Sequence, residues 1–204
     1  MKRAFWTIIA FAMILAMATP TFAASVPEAP FSTQERIRTE KLFEDIEPVD
    51  VVTTYTDGRI TTVTTYILDN GDVFIDTFER GANIARTYEG SDTVTRSVKG
   101  PGGTITLKAG FRWWTSSGNP GDLGSWQSVE CTSKSATYSV NSGYGIRDKV
   151  IEASEGAISW GTAWARAGAY IYPSQHGGQF GVDYSVKIIC DDMGKISDAT
   201  WPIS

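Results

Sequence analysis

Histidine and cysteine are scarce in this chain. Its 204 residues hold one histidine, His176, and two cysteines, Cys131 and Cys190. That scarcity narrows the chemistry. A zinc site on the two thiols needs more ligands than one imidazole supplies. A Ser-His-Asp triad would have to be built on His176. That residue lies in the turn-like segment Ser174-Gln175-His176-Gly177-Gly178, and no Gly-x-Ser-x-Gly elbow is present. Nucleotide-binding fingerprints are missing as well. Gly100-Pro101-Gly102-Gly103 is glycine-rich, but neither Lys-Ser/Thr nor an evident helix follows it, so it reads as a turn. The sequence therefore assigns no catalytic residue, no metal site and no cofactor.

Positive charge is also short. Eighteen Lys and Arg face 23 Asp and Glu, a formal net charge of −5. With no basic stripe to displace counterions, nucleic acid is not an expected partner. Long apolar runs are absent except at the start. There, Lys2 and Arg3 precede Phe5 to Met17, which is broken only by Thr7, and Pro20 leads into Thr21-Phe22-Ala23. A basic start, a short apolar run and small residues before the cut read as a cleavable signal peptide over 1–23. The run falls short of the ~20 apolar residues of a spanning helix. No cysteine follows it closely and no apolar tail closes the chain, so neither a lipid anchor nor a C-terminal anchor is expected. The expected product is secreted, without a transmembrane anchor after processing. It carries 16 basic and 23 acidic residues, a formal −7. None of its four asparagines begins an N-x-Ser/Thr sequon.

In an exported chain two cysteines usually pair. A Cys131–Cys190 disulfide would close a loop of roughly 60 residues and stabilise by ~3–4 kcal/mol in the chain-entropy model. The alternative is two buried thiols.

Residues 24–48 differ in pattern from the remainder of the chain. Pro27 and Pro30 mark a linker, Ser32 and Glu35 have capping-box spacing, and Ile37, Leu42, Phe43 and Ile46 form a rough stripe that Pro48 ends. This predicts a short helix over 33–46. From Val49 the period becomes two. Val51-Val52-Thr53-Thr54-Tyr55 is followed by the hairpin signal Asp57-Gly58, and Asp69-Asn70-Gly71-Asp72 marks another turn. The region 49–99 reads as a meander of short strands. In 104–114, Ile105, Leu107, Ala109, Phe111 and Trp113 share one face. In 180–190, Phe180, Val182, Tyr184, Val186, Ile188 and Cys190 do the same. Cys131 shares a face with Val129 and can point to the same core. The stretch 157–172 fits a strand with Ile158, Trp160, Trp164, Tyr170 and Tyr172 on one face. It also fits a helix, which Gly161 and Gly168 would weaken by about 1 kcal/mol each. Residues 146–154 fit either. The predicted fold is mainly β: an antiparallel β-sandwich or flattened barrel with a short N-terminal helix, and 49–204 forming one domain. An immunoglobulin pattern is excluded, because Ile188 stands where its Tyr should be and the nearest Trp downstream of Cys131 is Trp160.

The tract Ser139-Val140-Asn141-Ser142-Gly143-Tyr144-Gly145, with Ala163 to Tyr170 and Val186 to Cys190, resembles small secreted proteins of unknown function from Gram-positive bacteria. The resemblance covers the last third of the chain and implies no activity.

Carboxylate pairs fall at turns: Asp69 with Asp72, and Asp191 with Asp192. Turn chemistry explains both. Calcium ligation at Asp69–Asp72 would lack the EF-hand spacing. Aromatic placement is more distinctive. If Trp113 joins Phe111 in the core, Trp114 must point the other way. Symmetric closure of the following loop opposes Trp114 to Trp126 and Arg112 to Ser128. Arg112, Trp114 and Trp126 would then form a patch suited to the apolar face of a glycan or to an extracellular protein, unless a second layer covers it. The leading reading is a secreted, non-catalytic binding or interaction module. The alternatives are an extracellular hydrolase acting on polysaccharide or cell-wall polymer, and a surface protein whose role is assembly.

Overall fold

In the computed structural model, residues 39, 43, 45–82, 88–115, 126–176 and 180–197 are described. The chain is mainly β. Strands β1 (Asp50–Thr56), β2 (Arg59–Ile67), β3 (Val73–Gly81), β4 (Gly90–Gly100), β5 (Gly103–Thr115) and β6 (Gln127–Val140) form an antiparallel meander, and β8 (Ile158–Ser159) extends it to seven strands. A second antiparallel sheet has the order β11 (Ile196–Ser197), β10 (Val182–Asp191), β9 (Thr162–Pro173), β7 (Tyr144–Ala153).

Local chemistry accounts for the turns. Asp57 and Gly58 have φ of 50° and 73°, the left-handed pair that a two-residue hairpin requires, and they set Thr56 opposite Arg59. In the β2–β3 turn Asn70 Oδ1 accepts from the Asp72 N–H at 2.9 Å. The Gly-Pro-Gly-Gly tract is the β4–β5 turn, with Gly100 paired to Gly103.

The inner faces of the two sheets meet in one core. Val94, Val98, Ile105, Leu107, Phe111 and Val129 come from the larger sheet, and Val186, Ile188 and Cys190 from the smaller. The alternation in 104–114 holds, with Trp113 buried. That in 180–190 holds from Tyr184 onward, whereas Phe180 is exposed. The stretch 157–172 is strand, but not one strand. Ile158–Ser159 pairs with β6 in the large sheet, the backbone breaks at Trp160-Gly161, and Thr162 onward enters the small sheet. Its buried face carries Ala163, Ala165, Ala167, Ala169 and Ile171, while Trp164 lies on the outer side. Small side chains let β9 approach β5 and β6 closely.

The helix expected over 33–46 falls largely outside the described residues, as does the signal peptide. Residues 39, 43, 45 and 46 of it are described. Thr39 is fully buried, its Oγ1 accepting from the Ser185 N–H at 2.9 Å and donating to the Ser185 carbonyl at 3.3 Å. Phe43 stacks on Tyr66 with centroids 4.3 Å apart and meets Phe74 edge-on.

Candidate binding surface

The site begins with Trp113. Its indole is pinned by two glycines. A Cβ added at Gly90 would lie 2.5 Å from the Trp113 ring, and one at Gly194, where φ is +77°, would lie 2.3 Å from it. Trp113 is thus locked inward, and pleating turns Trp114 outward. On that outer face the Arg112 guanidinium lies over the Trp114 ring, 5.3 Å from its centroid. A cation over an indole is attracted by the ring quadrupole, by about 0.5–1 kcal/mol at an exposed site.

The register across the β5–β6 hairpin corrects the expected pairing. Trp114 stands opposite Ser128, and Arg112 opposite Glu130. Paired numbers sum to 242 at this end, two more than loop symmetry suggests. Trp126 therefore precedes β6 and sits diagonally from Trp114, on the same face by parity. Diagonal neighbours lie ~7–8 Å apart, within reach of aromatic side chains. Arg112 is exposed, Trp114 is half-buried and Trp126 is 43% exposed.

A third indole, which the sequence does not single out, adjoins this edge. Ser128 Oγ lies 3.1 Å from Ser159 Oγ, and the Trp160 N–H donates to the Gln127 carbonyl at 3.0 Å. Trp160 is 69% exposed and has φ of +54°. A bulky residue in that backbone region is strained by about 1–3 kcal/mol. Beside it, Gln127 is buried, its Nε2 donating to Thr115 Oγ1 at 2.9 Å, while its Oε1 is buried without a partner.

The expected Cys131–Cys190 disulfide is not present, and both thiols are free. Both do face the core, Cys190 fully buried and Cys131 half-buried against it. Each sulfur, however, is turned to its own strand. Cys131 Sγ donates to the Ser133 carbonyl beside a bulge, and Cys190 Sγ to the Asp191 carbonyl, both at 3.4 Å. The bulge arises because Gly110 pairs with Ser133 while Phe111 pairs with Cys131, leaving Thr132 as the extra residue. Burial raises both thiol pKa values. For Cys190 the neighbouring Asp191, Asp92 and Asp192 raise it further. Neither thiol is activated as a nucleophile.

One carboxylate of each pair serves a turn. Asp72 Oδ2 accepts from Asn70 Nδ2 at 2.8 Å. Asp191 Oδ1 accepts from the N–H groups of Met193 at 3.0 Å and Lys195 at 2.7 Å. Among the described residues, no group of three or more His, Cys, Asp and Glu side chains is placed to hold a metal ion. No helix there is long and apolar enough to cross a membrane. His176 ends a short 3-10 helix, Ser174–His176.

No protein-family model, no curated protein and no solved structure matches this chain.

Proposed function

We propose that this protein is a secreted β-sandwich that acts by binding, through the outer surface formed by Arg112, Trp114 and Trp126 with Trp160 beside them. The observation that carries the reading is the grouping itself: a guanidinium stacked on one indole, with two further indoles exposed at the same sheet end. Indoles on a rigid sheet present flat apolar area at little entropic cost, and the guanidinium supplies donors in a fixed fork. That combination suits the apolar face of a sugar ring with hydroxyl or carboxylate substituents, in a glycan or cell-wall fragment. An extracellular protein is the other partner such a surface could take. Binding is favoured over hydrolysis because Asp72 and Asp191 are engaged in turn hydrogen bonds and neither thiol is activated.

The test is a panel of soluble glycans and cell-wall fragments titrated against the protein and against Trp126→Ala, followed by calorimetry. Saturable binding that Trp126→Ala weakens at least about tenfold supports the reading. Binding unaffected by that change places the ligand elsewhere and removes its basis.

A further inference from the structure

A sheet edge is a row of unsatisfied backbone donors and acceptors, and proteins usually blunt such rows. Among the described residues, three of the four outermost strands are short or interrupted, and β6, left open where it runs beyond β8, carries the Thr132 bulge and Lys134. β8 and β11 have two residues each. β7 is broken by a bulge between Arg147 and Val150, with Asp148 at φ +54° and Arg147, Asp148 and Lys149 carrying charge. Where β10 runs beyond β11, Thr39 occupies both the N–H and the carbonyl of Ser185.

β1 is the exception. It is seven residues long with no proline, bulge or lysine, and its single charge, Asp50, lies at one end. All seven residues are exposed, with Val51 at 55% and Tyr55 at 73%. The Asp57-Gly58 turn makes Thr56 and Arg59 the closing hydrogen-bonded pair, so Thr54 and Val52 also bond to β2. The backbone groups of Val51, Thr53 and Tyr55 therefore point away from the sheet.

We propose that β1 is a homotypic docking edge, pairing antiparallel with β1 of a second copy about a two-fold axis at Thr53. Two features select this occupant. First, the register is self-complementary. Thr53 faces Thr53, Val51 of one copy faces Tyr55 of the other twice, and Val52 faces Thr54 twice. All three outward-pointing residues then meet an outward-pointing partner, giving about six backbone hydrogen bonds. Asp50 falls opposite Thr56, so no like charges oppose. Second, β1 is the open edge without a bulge or lysine, and pairing about a two-fold axis uses up the β1 edge of both copies, so the contact closes as a dimer. The joined strand is only ~24 Å long at about 3.4 Å per residue. One strand pair falls short of the ~1,200 Å² typical of stable complexes, so the dimer is concentration-dependent.

Sedimentation velocity across a concentration series tests this. The chain should pass from monomer to dimer, and Thr53→Pro should raise the dimer dissociation constant at least about tenfold. The Thr53 N–H points outward, so proline there removes an edge donor without breaking the β1–β2 ladder. Thr53→Cys is the second variant. Hydrogen-bonded antiparallel pairs have Cα atoms ~5.5 Å apart, within disulfide range. Mild oxidation should yield a covalent dimer whose link maps by mass spectrometry to the two introduced thiols. A wild-type chain that stays monomeric at millimolar concentration overturns the proposal and leaves the edge to a peptide of another protein. Dimers that Thr53→Pro does not weaken, and that Thr53→Cys does not cross-link, overturn it equally.

Discussion

Arg96 on β4 holds Asp76 on β3 through two hydrogen bonds, Nη2 to Oδ2 at 2.7 Å and Nε to Oδ1 at 3.2 Å. Both side chains are 7% exposed. Arg96 Nη1 also donates to the Lys187 carbonyl of the opposite sheet at 2.9 Å. The pair thus ties the two sheets at a fixed position in a mostly apolar interface. Asp76→Ala leaves a buried guanidinium without its counter-charge and should cost about 3–5 kcal/mol. Replacing both residues, Asp76→Leu with Arg96→Met, should recover most of that loss. Urea denaturation of the two variants checks it. A double variant as unstable as the single one would mean that the pair contributes more than removal of an unpaired charge explains.

Adjacent tryptophans should respond to truncation by different amounts. Trp113, 5% exposed between Gly90 and Gly194, should cost about 3–5 kcal/mol when changed to Ala. Half-buried Trp114 should cost clearly less. Thermal melts of the two variants decide it. A loss at Trp114 equal to that at Trp113 would mean that its ring is needed for packing, and the binding surface would lose its centre.

Alkaline stability should report Tyr184. Burial pushes its phenol from 10.0 up to about 12, although its oxygen accepts the Gly102 N–H at 3.3 Å. The folded state holds this proton more tightly than the unfolded state. Its contribution is therefore complete below about pH 10 and is lost as pH rises toward about 12. Tyr184→Phe should flatten that part of the decline. At neutral pH it should cost about 1–3 kcal/mol, because the buried Gly102 N–H loses its acceptor. Chemical denaturation from neutral pH to above pH 11 is the measurement.

Much of the fold is legible in the sequence because strand alternation survives packing. The period-two pattern of 104–114 and the Asp57-Gly58 signal both translate directly into strands and a turn. Four features do not. The bulge at Thr132 and the two-residue offset of the β5–β6 hairpin are set by backbone geometry, which leaves no residue signature, so Trp126 lands diagonal to Trp114 and not opposite it. The alanines of β9 form its buried face because the facing sheet supplies the bulk, and alternation alone does not say which of the two faces of that strand is the core. Alternation alone groups Trp160 with its strand neighbours. What separates it is a left-handed backbone at the break between two sheets, and Gly161 is the only local hint.

The thiols give a direct check on the absent bridge. Labelling of the denatured, unreduced protein should count two free cysteines. In the native protein Cys131 should react slowly and Cys190 only on unfolding, since burial raises both thiols. No labelling after denaturation would restore the bridge.

The most direct measurement of the proposed binding surface is the indole region of a ¹H–¹⁵N correlation spectrum during titration with a glycan or cell-wall fragment. The Trp114, Trp126 and Trp160 indole signals should shift together and saturably, while that of buried Trp113 stays in place. Saturable binding in which those three signals remain still would contradict the account.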